Sequence, residues 1–384
     1  MSAGDAVVDQ GELAAFRDSV RRFVDREIAP HVAAWDEAET FPRQLYAKAA
    51  EAGLIGIGYP EHLGGTPAPM RLRMIATEEV ARAGSGGLMA SLFSHSIALP
   101  PIVAHASDAL QRRIVPDVLA GRKIAALAIT EPGGGSDVAR LACTARREGD
   151  EWIVNGEKTF ITSGVRADWI TVAVRTGGKG AAGISLIAVP GNAPGLTRTP
   201  LAKMGWWCSD TAALRFADCR VPADHLIGEE NSGFRTVMEN FNGERLLMSA
   251  GAAAFAQVCF DEALAWARER KTFGSALVEH QAIRHKLMDM RMRIASTRAW
   301  VDALVDQYDA GGVDAEWVAD LCLLKNHSTQ TMQFCADQAV QILGGMGFMR
   351  GTKCERIYRE VKVMMIGGGA EEIMKELAAR QLGV

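Results

Sequence analysis

Cysteine is scarce in this sequence, and its distribution excludes two common uses of the residue. The chain has 384 residues and only 7 cysteines, an odd number, and no two of them have the Cys-x-x-Cys spacing. Such a scattered set argues against a disulfide framework and against a zinc knuckle, and it is typical of a reducing compartment. We therefore predict that the protein binds no metal and lies in the cytoplasm.

Positive charge is not in surplus either. The 42 lysines and arginines are outnumbered by 46 aspartates and glutamates, which gives a formal net charge of −4. Binding to a nucleic-acid backbone needs positive charge on the binding surface, and only a local patch could supply it here. The composition therefore predicts no nucleic-acid partner.

The sequence also lacks long hydrophobic runs. The longest apolar stretch, residues 246–260, is interrupted by Ser249 and Gln257 and is too short to span a bilayer comfortably. It predicts a buried helix, and we expect no membrane association. Residues 1–10 contain no basic or apolar segment of the kind that begins a signal or transit peptide, so neither is expected.

The pattern of apolar residues divides the chain into three parts. Apolar positions recur at helical spacing up to about residue 122 and again from Gly233 onward, whereas short runs separated by turn residues fill the part between. A chain of this length is expected to hold two or three domains. We predict an α+β multidomain fold with an N-terminal α-helical domain (1–122), a middle antiparallel β-barrel domain (123–232) and a C-terminal four-helix-bundle-like domain (233–384).

A glycine-rich turn follows a strand-like run in the middle domain. The segment is Leu127-Ala-Ile-Thr-Glu-Pro-Gly-Gly-Gly-Ser-Asp137. Glycines let a backbone approach a planar or phosphorylated ligand closely, and free N–H groups can face the anionic edges of that ligand. The spacing matches neither a P-loop nor a dinucleotide-binding fingerprint. From this segment alone, a ligand cradle and an ordinary solvent loop both stay open.

Four other segments each have a ligand-binding interpretation and a simpler structural one. Residues 157–164 place an aromatic beside hydroxyls at a strand end, which also fits a strand with an inward-facing Phe160. The basic cluster at 268–274 is either a pyrophosphate clamp or a partner of the helix dipole. The glycines within 341–347 also fit a helix C-cap, and residues 367–375 also fit a loop before an acidic helix start.

One carboxylate is isolated in the apolar helix. Glu244 is the only acidic residue between Glu239 and Asp261, and it precedes Arg245 where the long apolar run opens. An acid in the first turn of a helix usually complements the helix dipole. The residue type alone favours that structural role for Glu244.

Taken together, these segments resemble the acyl-CoA dehydrogenase family. The motifs Thr-Glu-Pro-Gly-x-Gly-Ser-Asp, Arg-Lys-Thr-Phe-Gly and Gln-Ile-Leu-Gly-Gly occur in the family's order and spacing, together with the strand turn at 203–211. The resemblance covers essentially the whole chain. It implies an FAD enzyme in which a carboxylate removes the proton α to a thioester and the β-hydrogen leaves as hydride to the flavin, giving a trans-2-enoyl-CoA.

The resemblance also implies partners. The substrate would be an acyl-CoA with a branched or medium-to-long chain, and the electrons would pass to an electron-transferring flavoprotein. The enzyme would be a homo-oligomer, most often a tetramer. The chemistry is physically consistent, because the transition state needs donors at the thioester carbonyl and a base whose pKa is raised in a water-poor pocket.

The family's cofactor contacts carry over to the middle and C-terminal parts of the chain. Phe160 stands where the family usually has Trp, so a ring for stacking is kept, and Ala370 stands where Thr is usual. Gln341, Gly344 and Gly345 would reach the FAD of a neighbouring subunit. The FAD-binding residues implied by the resemblance are Leu127, Ile129, Thr130, Ser136, Phe160, Ile161, Thr162, Arg270, Thr272, Phe273, Gln281, Gln341, Gly344, Gly345, Ala370 and Glu372.

The catalytic base departs from the family's commonest pattern. Many members carry Tyr-Glu-Gly-Thr before the last helix, where this chain has Gly-Gly-Gly-Ala at 367–370, so that Gly368 occupies the position of the glutamate. Glycine cannot act as a base. The isovaleryl-type and long-chain-type members carry the base immediately before an arginine in a core helix, and Glu244-Arg245 matches them. The resemblance thus implies Glu244 as the base, with Arg245 near the CoA or supporting Glu244.

The resemblance and the helical spacing together suggest where the substrate lies. Met248 is one turn beyond Glu244 on the same helix face, so it is predicted to line the acyl chamber, with a plain core position as the alternative. The predicted substrate contacts are Ser136, Arg245, Met248, Gly368 and Gly369.

Three other functions stay open within the same fold. They are an acyl-CoA oxidase that passes electrons to oxygen, an enzyme for acyl groups carried by a carrier protein, and a catalytically silent flavoprotein, including the nucleic-acid-binding branch of the family. The negative net charge and the presence of Glu244 argue against the silent flavoprotein.

Overall fold

The computed structural model describes residues 9–384, apart from the side chain of Glu239. The prediction about a targeting segment concerns residues 1–10 and therefore falls almost entirely outside the described residues. The described part of the chain begins with a helical region, which extends to about residue 120. Its helices are α1 (Gln10–Glu27), α2 (Val32–Glu37), α3 (Gln44–Glu51), α4 (Met70–Ala81), α5 (Gly86–Leu92), α6 (His95–Ala98), α7 (Pro100–His105) and α8 (Asp108–Leu119).

Local sequence sets the ends of the first helices. Asp9 caps α1, because its side chain accepts a hydrogen bond from the backbone N–H of Gly11 at 3.1 Å. The helix ends at Glu27, shortly before Pro30, whose ring disfavours helical geometry in the residue before it. The apolar stripe of α1 faces the core, where Val20 and Val24 are buried. The helix α3 begins at Gln44, two residues after Pro42.

The middle region is a sheet of eight strands. The strand order is β6-β7-β3-β2-β4-β5-β8, and β1 pairs with β4. Most pairings are antiparallel, but β1 and β2 each pair with β4 in parallel, so the fully antiparallel domain of the sequence prediction needs correction. The strands are β1 (Ala125–Ala128), β2 (Thr144–Glu148), β3 (Glu151–Thr162), β4 (Trp169–Arg175), β5 (Ile184–Pro190), β6 (Leu196–Pro200), β7 (Thr211–Pro222) and β8 (Leu226–Ile227).

Two strands run further than the sequence predicts. From the sequence pattern we expect a strand at 151–154, and in the structure this strand, β3, continues to Thr162. The same pattern predicts two short strands at 211–216 and 218–221, which form one strand, β7. Irregular pairings interrupt β3 after Val154 and after Lys158. Such β-bulges break the alternation of inward and outward residues, which is why the sequence pattern suggests shorter strands.

The rest of the chain is helical again. Its elements are α9 (Gly233–Glu269), the hairpin β9 (Lys271–Thr272) and β10 (Ser275–Ala276), α10 (Gln281–Asp309), α11 (Ala315–Leu343), α12 (Gly345–Phe348), α13 (Lys353–Ile366) and α14 (Glu371–Leu382). The central helix α9 packs against α10, α11 and α13, and also against α4 of the first region. Gly251 permits this approach, because a Cβ there would lie 3.1 Å from the methyl group of Met89 and 3.4 Å from that of Thr77.

The core is continuous across the three regions. One cluster of buried apolar side chains includes Val24 from α1, Val172 from β4 and Phe255 from α9. Within residues 9–384, no single helix is long and apolar enough to cross a membrane. The segments Gly86–Leu92 and His95–His105, which meet at an angle of 47°, reach that length and apolar character only when they are counted together.

Candidate active site

Glu244 lies about three turns inside α9, far from the helix start at Gly233. The field of a helix dipole fades within the first turn, so the dipole interpretation of Glu244 is wrong. The side chain is partly buried, and its Oε2 atom is buried without a hydrogen-bond partner among the described residues. Burial raises the pKa of Glu244 to about 7, although the charges of Arg245 and Lys325 lower it. Such an unpartnered carboxylate is free to accept a proton from a ligand.

The glycine loop before α14 lies beside Glu244. The Nε of Arg245 donates a hydrogen bond to the carbonyl of Gly368 at 3.0 Å. A Cβ at Gly368 would lie 2.9 Å from the Sδ of Met248, and the positive φ of +67° at this position also favours glycine. The turn of α9 that carries Glu244 and the glycine loop are therefore in direct contact. In the sequence, only the resemblance to the family connects these two segments.

Arg245 supports the loop from inside the protein. It is buried, and its guanidinium lies 5.4 Å from the centre of the Phe241 ring. The hydrogen bond to Gly368 positions the loop, a contact that differs from both roles considered for Arg245 in the sequence analysis.

Lys325 is a part of this site that sequence reasoning missed. It lies on α11 and is fully buried, and its Nζ donates hydrogen bonds to the carbonyls of Met365 at 2.9 Å and Gly369 at 2.7 Å. Burial lowers the pKa of Lys325 to about 8, while the charges of Glu371 and Glu244 raise it. A single lysine that follows the apolar run Leu321-Cys-Leu-Leu324 is the signal that could have revealed it.

The second part of the site is the edge formed by β1 and β3. The N–H of Thr159 donates to the carbonyl of Thr130 at 2.8 Å, which places β3 beside the glycine-rich turn. Phe160 has a positive φ of 60°, and 70% of its surface is exposed, so the inward-facing interpretation of Phe160 is wrong. Its neighbour Ile161 is buried instead. The bulge in β3 therefore turns the aromatic ring outward at the strand end.

A buried ion pair fixes this edge, and sequence reasoning missed it as well. The Nζ of Lys158 lies 2.7 Å from Oε1 of Glu131 and donates to the carbonyl of Ile129 at 2.9 Å. Glu131 also accepts hydrogen bonds from the N–H groups of Ala142 at 2.5 Å and Cys143 at 2.9 Å. Although burial opposes it, these contacts hold the pKa of Glu131 below its usual value. The acid of the Thr-Glu-Pro-Gly motif is thus a structural anchor.

The turn itself is open. Ser136 is exposed, and a Cβ placed on Gly133 or Gly134 would meet no atom within 4 Å. Leu127 is partly buried and Ile129 is buried beneath the turn. A flat ligand can therefore approach the backbone of this turn from outside.

A second group of predicted cofactor residues surrounds the β9–β10 hairpin. Phe273 at its tip has a positive φ of 50° and is fully exposed. The Oγ1 of Thr272 lies 3.3 Å from Nε2 of His280. Arg270 and Gln281 are exposed on either side of the hairpin. This group presents a cation, hydroxyl and amide outward, as a clamp for a diphosphate would require.

The remaining predicted cofactor residues lie at the ends of α11 and α14. Gln341, Gly344 and Gly345 are exposed where α11 ends. Ala370 is the N-cap of α14, without a side-chain hydrogen bond, and Glu372 is exposed in the first turn. A cavity of about 390 Å³ lies here, lined by Gln330, Gln333, Lys362, Met365, Ile366, Ala370, Glu371 and Glu372.

The exposed aromatic rings fit a flavin. Two large rings, Phe160 and Phe273, are turned outward at positive φ, which is an uncommon arrangement for bulky residues and costs free energy. A planar ligand that stacks on such a ring removes its apolar surface from water. Among the residues that the structure describes, no group of three histidines, cysteines, aspartates or glutamates is arranged to hold a metal ion.

Comparison with known proteins places this geometry in one family. The profile described as acyl-CoA dehydrogenase, N-terminal domain, matches residues 10–122, that of the middle domain matches 126–219, and that of the C-terminal domain matches 231–383. The long-chain specific acyl-CoA dehydrogenase of Sus scrofa mitochondria is 36% identical over 371 residues, which cover 96% of this chain and 85% of that protein.

Two further similarities support the assignment. The mitochondrial isovaleryl-CoA dehydrogenase of Oryza sativa subsp. japonica is 34% identical over 373 residues, which cover 96% of this chain and 90% of that protein. The crystal structure of a probable acyl-CoA dehydrogenase from Mycobacterium abscessus superposes with a TM-score of 0.95 at 47% identity, covering 98% of this chain and 100% of that one. The chain therefore belongs to the acyl-CoA dehydrogenase family, whose members are flavoprotein oxidoreductases.

Proposed function

We propose that the protein oxidises an acyl-CoA thioester to the trans-2-enoyl-CoA, with Glu244 as the base and FAD as the cofactor. The observation that carries the proposal is the buried Oε2 of Glu244, which has no partner within the described residues and lies beside the glycine loop at Gly368. The pKa of about 7 suits a general base that works near neutral pH.

Glu244 would remove the α-proton of the thioester. Its pKa lies well above that of an exposed glutamate because the site is poor in water, so the carboxylate binds a proton more strongly than it would in solvent. The cations of Arg245 and Lys325 keep a fraction of the carboxylate ionised and ready to react. When bound, FAD supplies the hydride acceptor for the β-hydrogen, which no side chain can provide.

The glycine loop supports this choice of base. Within residues 367–369 there is no carboxylate, and the contact of Gly368 with Arg245 and Met248 leaves no room for a longer side chain in this loop conformation. The base therefore reaches the substrate from α9. The two curated relatives compared above are named for long-chain and isovaleryl substrates, which agrees with a branched or medium-to-long acyl chain.

The cofactor proposal draws on the geometry and on relatives. Phe160 would stack on the flavin ring, while Arg270 and Thr272 would hold the diphosphate. A glutaryl-CoA dehydrogenase from Mycobacterium smegmatis, 25% identical to this chain, is solved in complex with FADH2. A structure described as the electron-transferring flavoprotein of Acidaminococcus fermentans contains a chain that is 29% identical to this one. This similarity supports an electron-transferring flavoprotein as the electron acceptor.

We also propose a homo-oligomer. Several large apolar side chains on or directly after the C-terminal helices are exposed in the single chain and would be covered by a second copy. They are Met288, Met292, Met346, Phe348, Met349 and Ile366.

Anaerobic flavin reduction tests the proposed function. The purified flavin-loaded protein is mixed with straight and branched acyl-CoAs of increasing length, and loss of the oxidised flavin absorbance is followed. Bleaching by at least one thioester is the expected result, and no bleaching by any of them would indicate a catalytically silent flavoprotein. Oxygen consumption without an added acceptor would instead identify an oxidase.

A further inference from the structure

Arg73 differs from the other charged residues of α4. The helix carries four of them, and three form ion pairs with neighbouring elements. Among the described residues Arg73 forms none. The pairs of the other three are Arg71 with Asp302 and Asp306, Glu78 with Arg17, and Glu79 with Arg17, Arg21 and Arg82.

Arg73 lines a cavity of about 240 Å³. A water molecule occupies about 30 Å³ in the liquid, so the cavity has room for a carboxylate and several methylene groups. Gly58 makes space for the arginine stem, because a Cβ there would lie 2.7 Å from Cδ of Arg73. The other walls are mostly apolar, and the lining residues are Gly58, Tyr59, Pro60, Arg73, Pro100 and Val103.

The ionisable groups beside Arg73 leave its charge uncompensated. Burial raises the pKa of Tyr59 to about 12 and lowers that of His95 to about 4, so both are neutral near pH 7. The positive charge of Arg73 lowers both pKa values, which shows that it is close to the two side chains. The hydroxyl of Tyr59 already donates to the carbonyl of His95 at 3.2 Å. The cavity therefore has mostly apolar walls and one positively charged residue, Arg73.

None of the residues that line the cavity lies on α9, but the helices that supply Arg73 and Pro100 are linked to the part of α9 that carries the base. A Cβ on Gly243, the neighbour of Glu244, would lie 3.5 Å from the methyl group of Met70 on α4. Arg73 follows Met70 by three residues, or about 4.5 Å along the helix. On the other wall, the carbonyl of Ile97, shortly before Pro100, accepts a hydrogen bond from Asn240 of α9 at 3.1 Å.

We propose that Arg73 binds a carboxylate at the far end of the acyl chain, so that the preferred substrates are CoA thioesters of dicarboxylic acids. This inference rests on the function proposed above and deepens it. A guanidinium binds a carboxylate through two parallel hydrogen bonds, and the apolar walls accept the last methylene groups of the chain. A plain acyl chain of the same length would leave the charge of Arg73 without a partner.

Matched substrate pairs test the proposal. For several chain lengths, the CoA thioester of a fatty acid and the mono-CoA thioester of the dicarboxylic acid are compared on the flavin-loaded protein by anaerobic flavin reduction and by calorimetric titration. At the best length, the wild type should favour the carboxylate-terminated thioester by about ten- to hundredfold. Arg73→Gln should bring the ratio close to one, and Arg73→Lys should restore part of the preference.

Arg71→Gln is the matched control. Arg71 lies two residues away on the same helix, but it is paired with Asp302 and Asp306, so its loss should leave the substrate ratio as it is in the wild type. A wild-type ratio near one at every length, or a ratio that survives Arg73→Gln, would overturn the proposal. If no thioester reduces the flavin, the proposed function fails, and the calorimetric ratio still decides whether Arg73 recognises the carboxylate.

Discussion

At the scale of single residues, Glu244 is the most direct test of the chemistry. Glu244→Gln keeps the size of the side chain but cannot accept the α-proton, so flavin reduction by substrate should slow by about 10²–10⁴-fold or more. Flavin content and the far-ultraviolet circular dichroism spectrum should match those of the wild type. Flavin reduction by the variant at the wild-type rate would exclude Glu244 as the base.

The raised pKa of Glu244 also predicts how stability depends on pH. Between about pH 4.5 and 7 the folded protein holds a proton on Glu244 that the unfolded chain releases, so the free energy of unfolding falls as pH rises through this window. Gln carries no charge at any of these pH values. Glu244→Gln should therefore be the more stable protein at pH 8, by about 3 kcal/mol, and the difference should vanish at pH 4. Urea denaturation at the two pH values measures it.

Lys325 links helix α11 to the glycine loop through its hydrogen bonds. Lys325→Met removes the hydrogen bonds to Met365 and Gly369 and leaves two carbonyls without their donor, which should cost about 3 kcal/mol of unfolding free energy. The loss of a cation near Glu244 should also move the pH midpoint of flavin reduction upward. Lys375→Met, at an exposed position of α14, is the control. A stability loss with an unchanged pH midpoint would show that Lys325 acts on the loop alone.

The sequence predicts residues whose chemistry depends on their neighbours along the chain, and it misses those defined by the fold. Glu244, Arg245 and Gly368 could be found because their order matches a family pattern. Lys325 and Lys158 could not, because each acts on groups that are distant in sequence and that only the packing of helices and strands brings near.

At the scale of elements, the bulge in β3 shapes the sheet edge that we propose to bind the flavin. It holds Phe160 outward at a positive φ, and because 70% of the surface of Phe160 is exposed, the ring contributes little packing to the folded chain. Phe160→Ala should therefore weaken FAD binding by about three- to tenfold while the melting temperature of the flavin-free protein stays nearly constant. Phe160→Trp, which keeps a ring, should retain FAD.

Those two variants also separate stacking from backbone effects. FAD loss equal in Phe160→Ala and Phe160→Trp would show that the bulge itself, rather than the ring, contacts the cofactor.

The same bulge explains the limit of the sequence prediction at this scale. Alternation of inward and outward residues identifies a strand only while the pairing is regular, and it fails after Val154 and at Asp218, where φ is +48°.

At the scale of the whole molecule, a buried ion cluster joins the three regions. Asp36 of α2 is buried, and its Oδ2 lies 3.4 Å from Nε of Arg356 and 2.9 Å from Nη2 of Arg359 on α13. The guanidinium of Arg359 stacks 3.8 Å from the ring centre of Trp207, in the turn before β7. Helices from both ends of the chain and a turn of the sheet thus meet at one aspartate.

The cluster predicts a large and specific loss of stability. Asp36→Ala leaves Arg356 buried and without its counter-charge, which should cost about 3–5 kcal/mol of unfolding free energy. The neighbouring Glu37 forms an exposed ion pair with Arg350 at 2.9 Å, so Glu37→Ala should change the free energy by less than about 1 kcal/mol. Urea denaturation followed by tryptophan fluorescence and by circular dichroism measures both variants. Equal effects of the two substitutions would mean that the cluster does not hold the three regions together, because only Asp36 carries a buried partner.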